Sequence, residues 1–174
     1  YYLINEAGGI GHFLPNYEKM IKLGVTGYLA STEGKEDDLH RAARIACGGL
    51  LSYAASLADE AERLAASEAD AARSKELNEI AGICRRVPLN PAETFHEAVQ
   101  SLWLTHMAVC LEGLNSAVSL GRIDQYLYPY YRTDIERGKI TPEQAREILL
   151  SLSAKATEHV FLLSERTSEY HGGY

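Results

Sequence analysis

Along most of this chain apolar residues recur at intervals of three and four, the spacing of helices that each bury one stripe. The clearest case runs from about Glu36 to Ser67, where Leu39, Ala43, Ala46, Leu50, Tyr53, Leu57, Ala61 and Leu64 share a face. Its alanines, with Gly48-Gly49 near the middle, favour close antiparallel packing on another helix and allow a kink. A second helix is predicted from about Asp70 to Arg86, with Leu77, Ile80, Cys84 and Val87 on one side, and Val87-Pro88 stops it. Asn90-Pro91-Ala92-Glu93 then supplies an N-cap, a proline at the first helical position and a capping-box glutamate. The helix it opens, to about Glu112, is apolar nearly all round: Phe95, Val99, Leu102, Trp103, Leu104, Met107, Val109 and Leu111. A helix with no polar face is buried inside a larger protein.

Shorter elements flank these. Pro15 opens a helix that ends near Leu23-Gly24, where glycine suits the C′ position. Asp124 to Arg137 reads as helix closing at Gly138. Thr141-Pro142-Glu143-Gln144 repeats the capped start and launches a last helix to about Leu163, with Ala145, Ile148, Leu152 and His159 inward. Ile10–Leu14 and Ala117–Leu120 could form short strands, and no internal repeat is visible. The pattern is that of a mainly α segment.

Composition narrows the classes. A chain of 174 residues with 46% apolar content suits one globular domain. A formal charge of −7 gives it no electrostatic footprint for nucleic acid. The longest apolar run, Leu102 to Leu111, is about half a bilayer span and carries His106, so no membrane partner is expected. The three cysteines, Cys47, Cys84 and Cys110, are far apart and lie in helical patterns, which suits buried, reduced thiols of a cytoplasmic protein. The chain starts at Tyr1 without Met or a signal peptide and ends in His171-Gly172-Gly173-Tyr174 with no closing element. Both ends read as cut from a longer polypeptide.

Candidate chemistry is sparse. Among six histidines there is no HExxH and no pair at i,i+4, and the cysteines form no CxxC, so no metal site is expected. His106 and His159 sit on apolar faces and read as core histidines with a polar partner. His96 lies one turn inside a capped helix. His12 follows the glycine-rich Gly8-Gly9-Ile10-Gly11, a loop that lets backbone approach a ligand. It suits a general acid or base, or equally a surface loop. The loop is not GxGxxG, so nucleotide binding is not indicated. Arg122 and Asp124 could pair with each other or with nearby tyrosine hydroxyls such as that of Tyr126. The favoured reading is a buried polar network that fixes how a helix enters a barrel or bundle, ahead of substrate contact.

Four tyrosines between Tyr126 and Tyr131, behind Gly121-Arg122-Ile123-Asp124-Gln125, form the most distinctive run in the chain. With Phe95-His96-Glu97-Ala98-Val99-Gln100-Ser101-Leu102-Trp103 it resembles the pyruvate formate-lyase-like domain of glycyl radical enzymes. Gly11 to Gly24, with the pattern GHxxPxYExxxxxG, and Ile83 to Pro91, ICRRVPLNP, resemble the same family in the same order. The resemblance spans residues 1–174, as a partial domain from the N-terminal half of an enzyme several times longer.

It implies a ten-stranded α/β barrel, of which this segment supplies helical wrapping and a strand or two. It implies a lyase or dehydratase that cleaves a C–C or C–heteroatom bond of a small substrate by thiyl-radical hydrogen abstraction. It also implies a glycyl radical elsewhere in the parent chain, installed by a radical S-adenosylmethionine activating enzyme, in an anaerobic cytoplasm. Cys47, Cys84 and Cys110 do not match the family's catalytic cysteine. Gly172-Gly173-Tyr174 lacks the Arg-Val of its radical loop, so no catalytic residue is expected here. His12, Asn115 and Ser116 are the expected substrate contacts. Ser116-Ala117 stands where diol-dehydrating members carry His-Ser, which argues against a glycerol or propanediol substrate. Formate C-acetyltransferase activity of the parent and a stand-alone, non-catalytic helical interaction module are the alternatives; a homodimeric parent is left open.

Overall fold

The computed structural model describes residues 13–112 and 118–158, and every regular element among them is helical. Their order is α1 (Tyr17–Ala30), α2 (Asp38–Ser67), α3 (Ala71–Arg86), α4 (Phe95–Glu112), α5 (Ile123–Tyr126), α6 (Tyr128–Glu136) and α7 (Pro142–Thr157). Helix α4 is the hub: α1, α2, α3, α6 and α7 all pack on it. Its apolar girth makes this feasible, because each flank offers a face to a different neighbour.

Helices α2 and α3 form an antiparallel pair joined by a short turn that Asp70 caps through its carboxylate. The face of α2 that is buried consists of Cys47, Leu50, Ala54, Ala58, Ala61 and Ala65, which meet Ala81 and Cys84 of α3 and Val25 and Leu104 beyond them. This is the predicted stripe turned by about one position. Leu39 and Leu64, placed inward by their spacing, are 74% and 40% exposed. The contact selects the smallest side chains, because they let two helix axes approach closely. Helix α2 also runs unbroken through Gly48 and Gly49, so it does not take up the kink that these glycines allow. Arg85 of α3 reaches across to Asp59 and Glu62 of α2.

Helix α1 contains a break at Gly24, whose φ of 64° and ψ of 177° are open to glycine and strained for other residues. The break turns the chain onto the segment after α3: Val25 N–H donates to Pro88 O at 2.8 Å, Thr26 N–H to Leu89 O at 3.0 Å, and Ala92 N–H to Ile21 O at 3.0 Å. A Cβ at Gly24 would lie 2.5 Å from the Asn90 carbonyl carbon. The predicted helix end at Leu23-Gly24 is therefore real, although a further short turn follows it.

Helix α4 begins later than the sequence suggested. The start is a capping box built from Thr94 and Glu97: Glu97 N–H donates to Thr94 Oγ1 at 3.2 Å, and Thr94 N–H to Glu97 Oε2 at 3.3 Å. Asp134, in α6, accepts the Phe95 N–H at 2.7 Å through Oδ2. Asn90 belongs instead to the turn closing α3, with its N–H on Arg86 O. The Thr141–Gln144 box on α7 forms as predicted. The main core gathers Tyr17, Ile21, Phe95, Val99 and Leu102 with Leu127, Ala145 and Leu152, joining α1, α4, α6 and α7.

Candidate functional site

Two stretches of chain that lead toward the expected substrate contacts meet. Ser119 N–H donates to Phe13 O at 3.0 Å. Phe13 directly follows His12, and Ser119 comes three positions after Ser116 in sequence. His12, Asn115 and Ser116 themselves lie outside the described residues, as does His159. The two stretches are also the ones in which short strands were expected. Among the described residues this backbone bond joins them without making either a strand.

Side chains secure the meeting point. Gly121 has a φ of 69°, which strains any residue with a side chain, and a Cβ built there would lie 2.6 Å from Cδ1 of the exposed Leu14, a side-chain end that can turn aside. Gly121 N–H donates to Ser119 Oγ at 3.1 Å. The Tyr126 hydroxyl donates to Leu120 O at 2.7 Å. Burial pushes the Tyr126 phenol well above the usual range, so it stays protonated as a donor.

Arg122 and Asp124 pair bidentately at 2.8 and 2.7 Å, with side chains 70% and 62% exposed. Tyr126 turns its hydroxyl to backbone and not to this pair. The expected buried network is thus two separate contacts in this chain: a surface ion pair and a half-buried tyrosine. Their separation follows from the helical turn, which sends residues 122 and 124 outward and Tyr126 toward the core.

A second arrangement links α1 to α4. Tyr17, 1% exposed, closes a 2.7 Å hydrogen bond with His106 Nδ1, and His106 Nε2 is 3.7 Å from Cys110 Sγ. Either imidazole tautomer completes the chain: the phenol donates to Nδ1 while Nε2–H points at sulfur, or the thiol donates to Nε2 while Nδ1–H donates to the phenol oxygen. Burial, followed by neighbouring Cys110 and Tyr126, pushes the Tyr17 phenol far up, and burial alone pushes the Cys110 thiol up. The phenol and the thiol therefore keep their protons and suit holding the ring between them. The reading of His106 as a core histidine with a polar partner gave its burial, but the partner lies 89 positions away. The usable local signal was the four-residue spacing of His106 and Cys110, which shares one helix face.

Elsewhere a groove of about 740 Å³ opens across α3, α4 and α7, with Ile80, Trp103 and Ile148 along it and His96, Glu79 and Asp134 among its polar lining. Burial lowers the pKa of His96, with Glu79 and Glu97 opposing. Cys47, Cys84 and Cys110 are all buried free thiols. Among the described residues no group of three or more His, Cys, Asp or Glu could hold a metal ion, and no helix is long and apolar enough to cross a membrane.

The family model described as pyruvate formate lyase-like matches residues 3–174. The chain belongs to this family, the glycyl radical enzymes. Within it, an isethionate sulfite-lyase from Oleidesulfovibrio alaskensis is 34% identical over 192 aligned positions, which cover 99% of this chain and 23% of that protein. A trans-4-hydroxy-L-proline dehydratase from Clostridioides difficile is 37% identical over 122 positions, covering 70% of this chain and 15% of that protein. The glycerol-bound B12-independent glycerol dehydratase from Clostridium butyricum superposes with a TM-score of 0.82 at 29% identity, covering 92% of this chain and 22% of the other. The chain therefore spans under a quarter of the length of these glycyl radical enzymes. The fold agrees with theirs over this stretch, and the described part of it is helical.

Proposed function

We propose that this chain is the part of a glycyl radical lyase or dehydratase that carries one wall of the substrate pocket, with His12, Asn115 and Ser116 as its contacts. The observation that carries this reading is the Ser119–Phe13 hydrogen bond, which joins the stretch after His12 to the stretch after Ser116. The relatives, which include a sulfite-lyase and a dehydratase, support a parent that cleaves a carbon–heteroatom bond of a small substrate.

In such a parent the glycyl radical, installed by a radical S-adenosylmethionine activating enzyme in an anaerobic cytoplasm, supplies a thiyl that takes a hydrogen atom from substrate. That chemistry sits on residues outside this chain. The chain's own task is to bind and orient. A histidine beside a glycine-rich run can meet a hydroxyl or a carboxylate, and an amide with a hydroxyl adds three N–H or O–H donors and two acceptor oxygens. Ser116-Ala117 offers less hydroxyl recognition than a His-Ser pair would, so we assign the substrate to a class other than simple vicinal diols.

The test is anaerobic activation of the full-length enzyme, followed by electron paramagnetic resonance and turnover of isethionate, trans-4-hydroxy-L-proline and glycerol. A glycyl doublet with turnover of a probe other than glycerol is expected. No doublet in a preparation with competent activating enzyme would overturn the class. A His12→Ala variant with full radical and full turnover would remove His12 from the site.

A further inference from the structure

We propose that Tyr17 is a positioning residue, whose hydrogen bond to His106 sets where the chain around Phe13 meets the chain around Ser119. This rests on the reading of that junction as the edge of the substrate pocket. Tyr17 is the first residue of α1, and His106 lies in the last two turns of α4. The bond between them closes two long excursions of the chain at one buried point.

Apolar contact alone would let two helices slide, because it carries no direction. A buried hydroxyl facing a ring nitrogen does have direction, and losing the partner strands a polar atom in the core. The register of α1 on α4 is thereby fixed. From Tyr17 back to Phe13 the chain has little freedom. Asn16 caps α1 through Lys19 N–H, Tyr17 N–H donates to Pro15 O at 2.9 Å, and the ring of Pro15 fixes its own φ. Placing Tyr17 therefore places Phe13.

On the other side Tyr126 does the matching task, holding Leu120 O, and it packs on the same core cluster as Tyr17. The two phenols are close enough for Tyr126 to add to the upward push on Tyr17. Two neutral tyrosines, one rooted in each stretch, thus converge on one core and aim the backbone bond between Ser119 and Phe13. Cys110 backs His106 from the following turn, which orients the imidazole for its bond to Tyr17.

The experiment uses the full-length protein with Tyr17→Phe, His106→Ala and His106→Asn. Tyr17→Phe keeps the buried ring and removes only the hydroxyl, and His106→Asn keeps an acceptor near the Nδ1 position. Hydrogen exchange at the Ser119 amide should be about tenfold faster in Tyr17→Phe and His106→Ala, with much of the protection regained in His106→Asn. In the activated enzyme, glycyl radical yield should match wild type while KM for the probe turned over rises about tenfold, a loss of about 1.4 kcal/mol of binding. Wild-type exchange at Ser119 in Tyr17→Phe would overturn the proposal. Faster exchange with unchanged KM would also overturn it, by showing that the junction is not tied to substrate. Absence of radical or of turnover in wild type would instead defeat the functional reading, and the Ser119 amide would still decide the role of Tyr17.

Discussion

His96 illustrates how a single side chain connects burial to pH. Burial lowers its pKa below the ordinary value of 6.5, because the folded state resists placing a charge there. The unfolded chain therefore binds the proton more readily, and the stability that His96 contributes is present above about pH 6.5 and lost as pH falls below it. A His96→Gln variant should show a flatter fall in denaturation midpoint between about pH 7 and pH 5 than wild type; parallel curves would contradict this. The three cysteines give a second residue-level expectation. Burial raises each thiol's pKa, so Cys47, Cys84 and Cys110 should resist alkylation by iodoacetamide in native protein and all react in denaturant, as read by peptide mass spectrometry. Their burial was legible because each sits in an apolar helical pattern. The partner of Asp134 was not, since its bond to Phe95 N–H spans 39 positions and no local rule reaches that far. Asp134→Ala should cost about 2 kcal/mol, the scale of a hydrogen bond to a charged group, measured by urea denaturation.

At the level of elements, the start of α4 separates two kinds of signal. Asn90-Pro91 and Thr94-x-x-Glu97 are both valid helix openings, and local chemistry alone ranks the proline-containing one well. Tertiary contacts decide otherwise. Asn90 is held to the end of α3, and Arg86 ties Glu93 and Glu97 together at 2.5 and 3.0 Å. Thr94→Ala should therefore destabilise by about 1 kcal/mol as a lost cap, and by more than Asn90→Ala does, measured in circular dichroism melts. The α2–α3 pair makes a complementary point. Periodicity located both helices within a residue or two, yet the inward face is turned by about one position, because the close helix contact takes alanines and leaves Leu39 and Leu64 exposed. Ala58 is fully buried, and Ala58→Leu should cost about 2 kcal/mol by forcing the helices apart.

For the whole molecule, the helical character and the family were readable from pattern and motif, whereas the arrangement around α4 was not, because an all-apolar helix does not say which neighbour takes which face. Nor did any pattern foretell that Phe13 and Ser119 would be joined. Both segments are short, and their meeting depends on contacts made through Tyr17 and Tyr126. The groove beside Trp103 leaves apolar side chains open to solvent in this stretch of chain, so the 174 residues produced alone should bind a hydrophobic dye strongly and lose that binding within the full-length protein.

The break at Gly24 has a consequence for how such sequences change over time. GHxxPxYExxxxxG and ICRRVPLNP look like independent signatures separated by some sixty positions, a stretch that holds all of α2 and most of α3. Because the final glycine of one lies against the Asn90 backbone of the other, neither can drift alone. A descendant that gave the glycine position a side chain would have to rebuild the Leu89–Asn90 turn in the same lineage. The two signatures should be inherited, and lost, as one character.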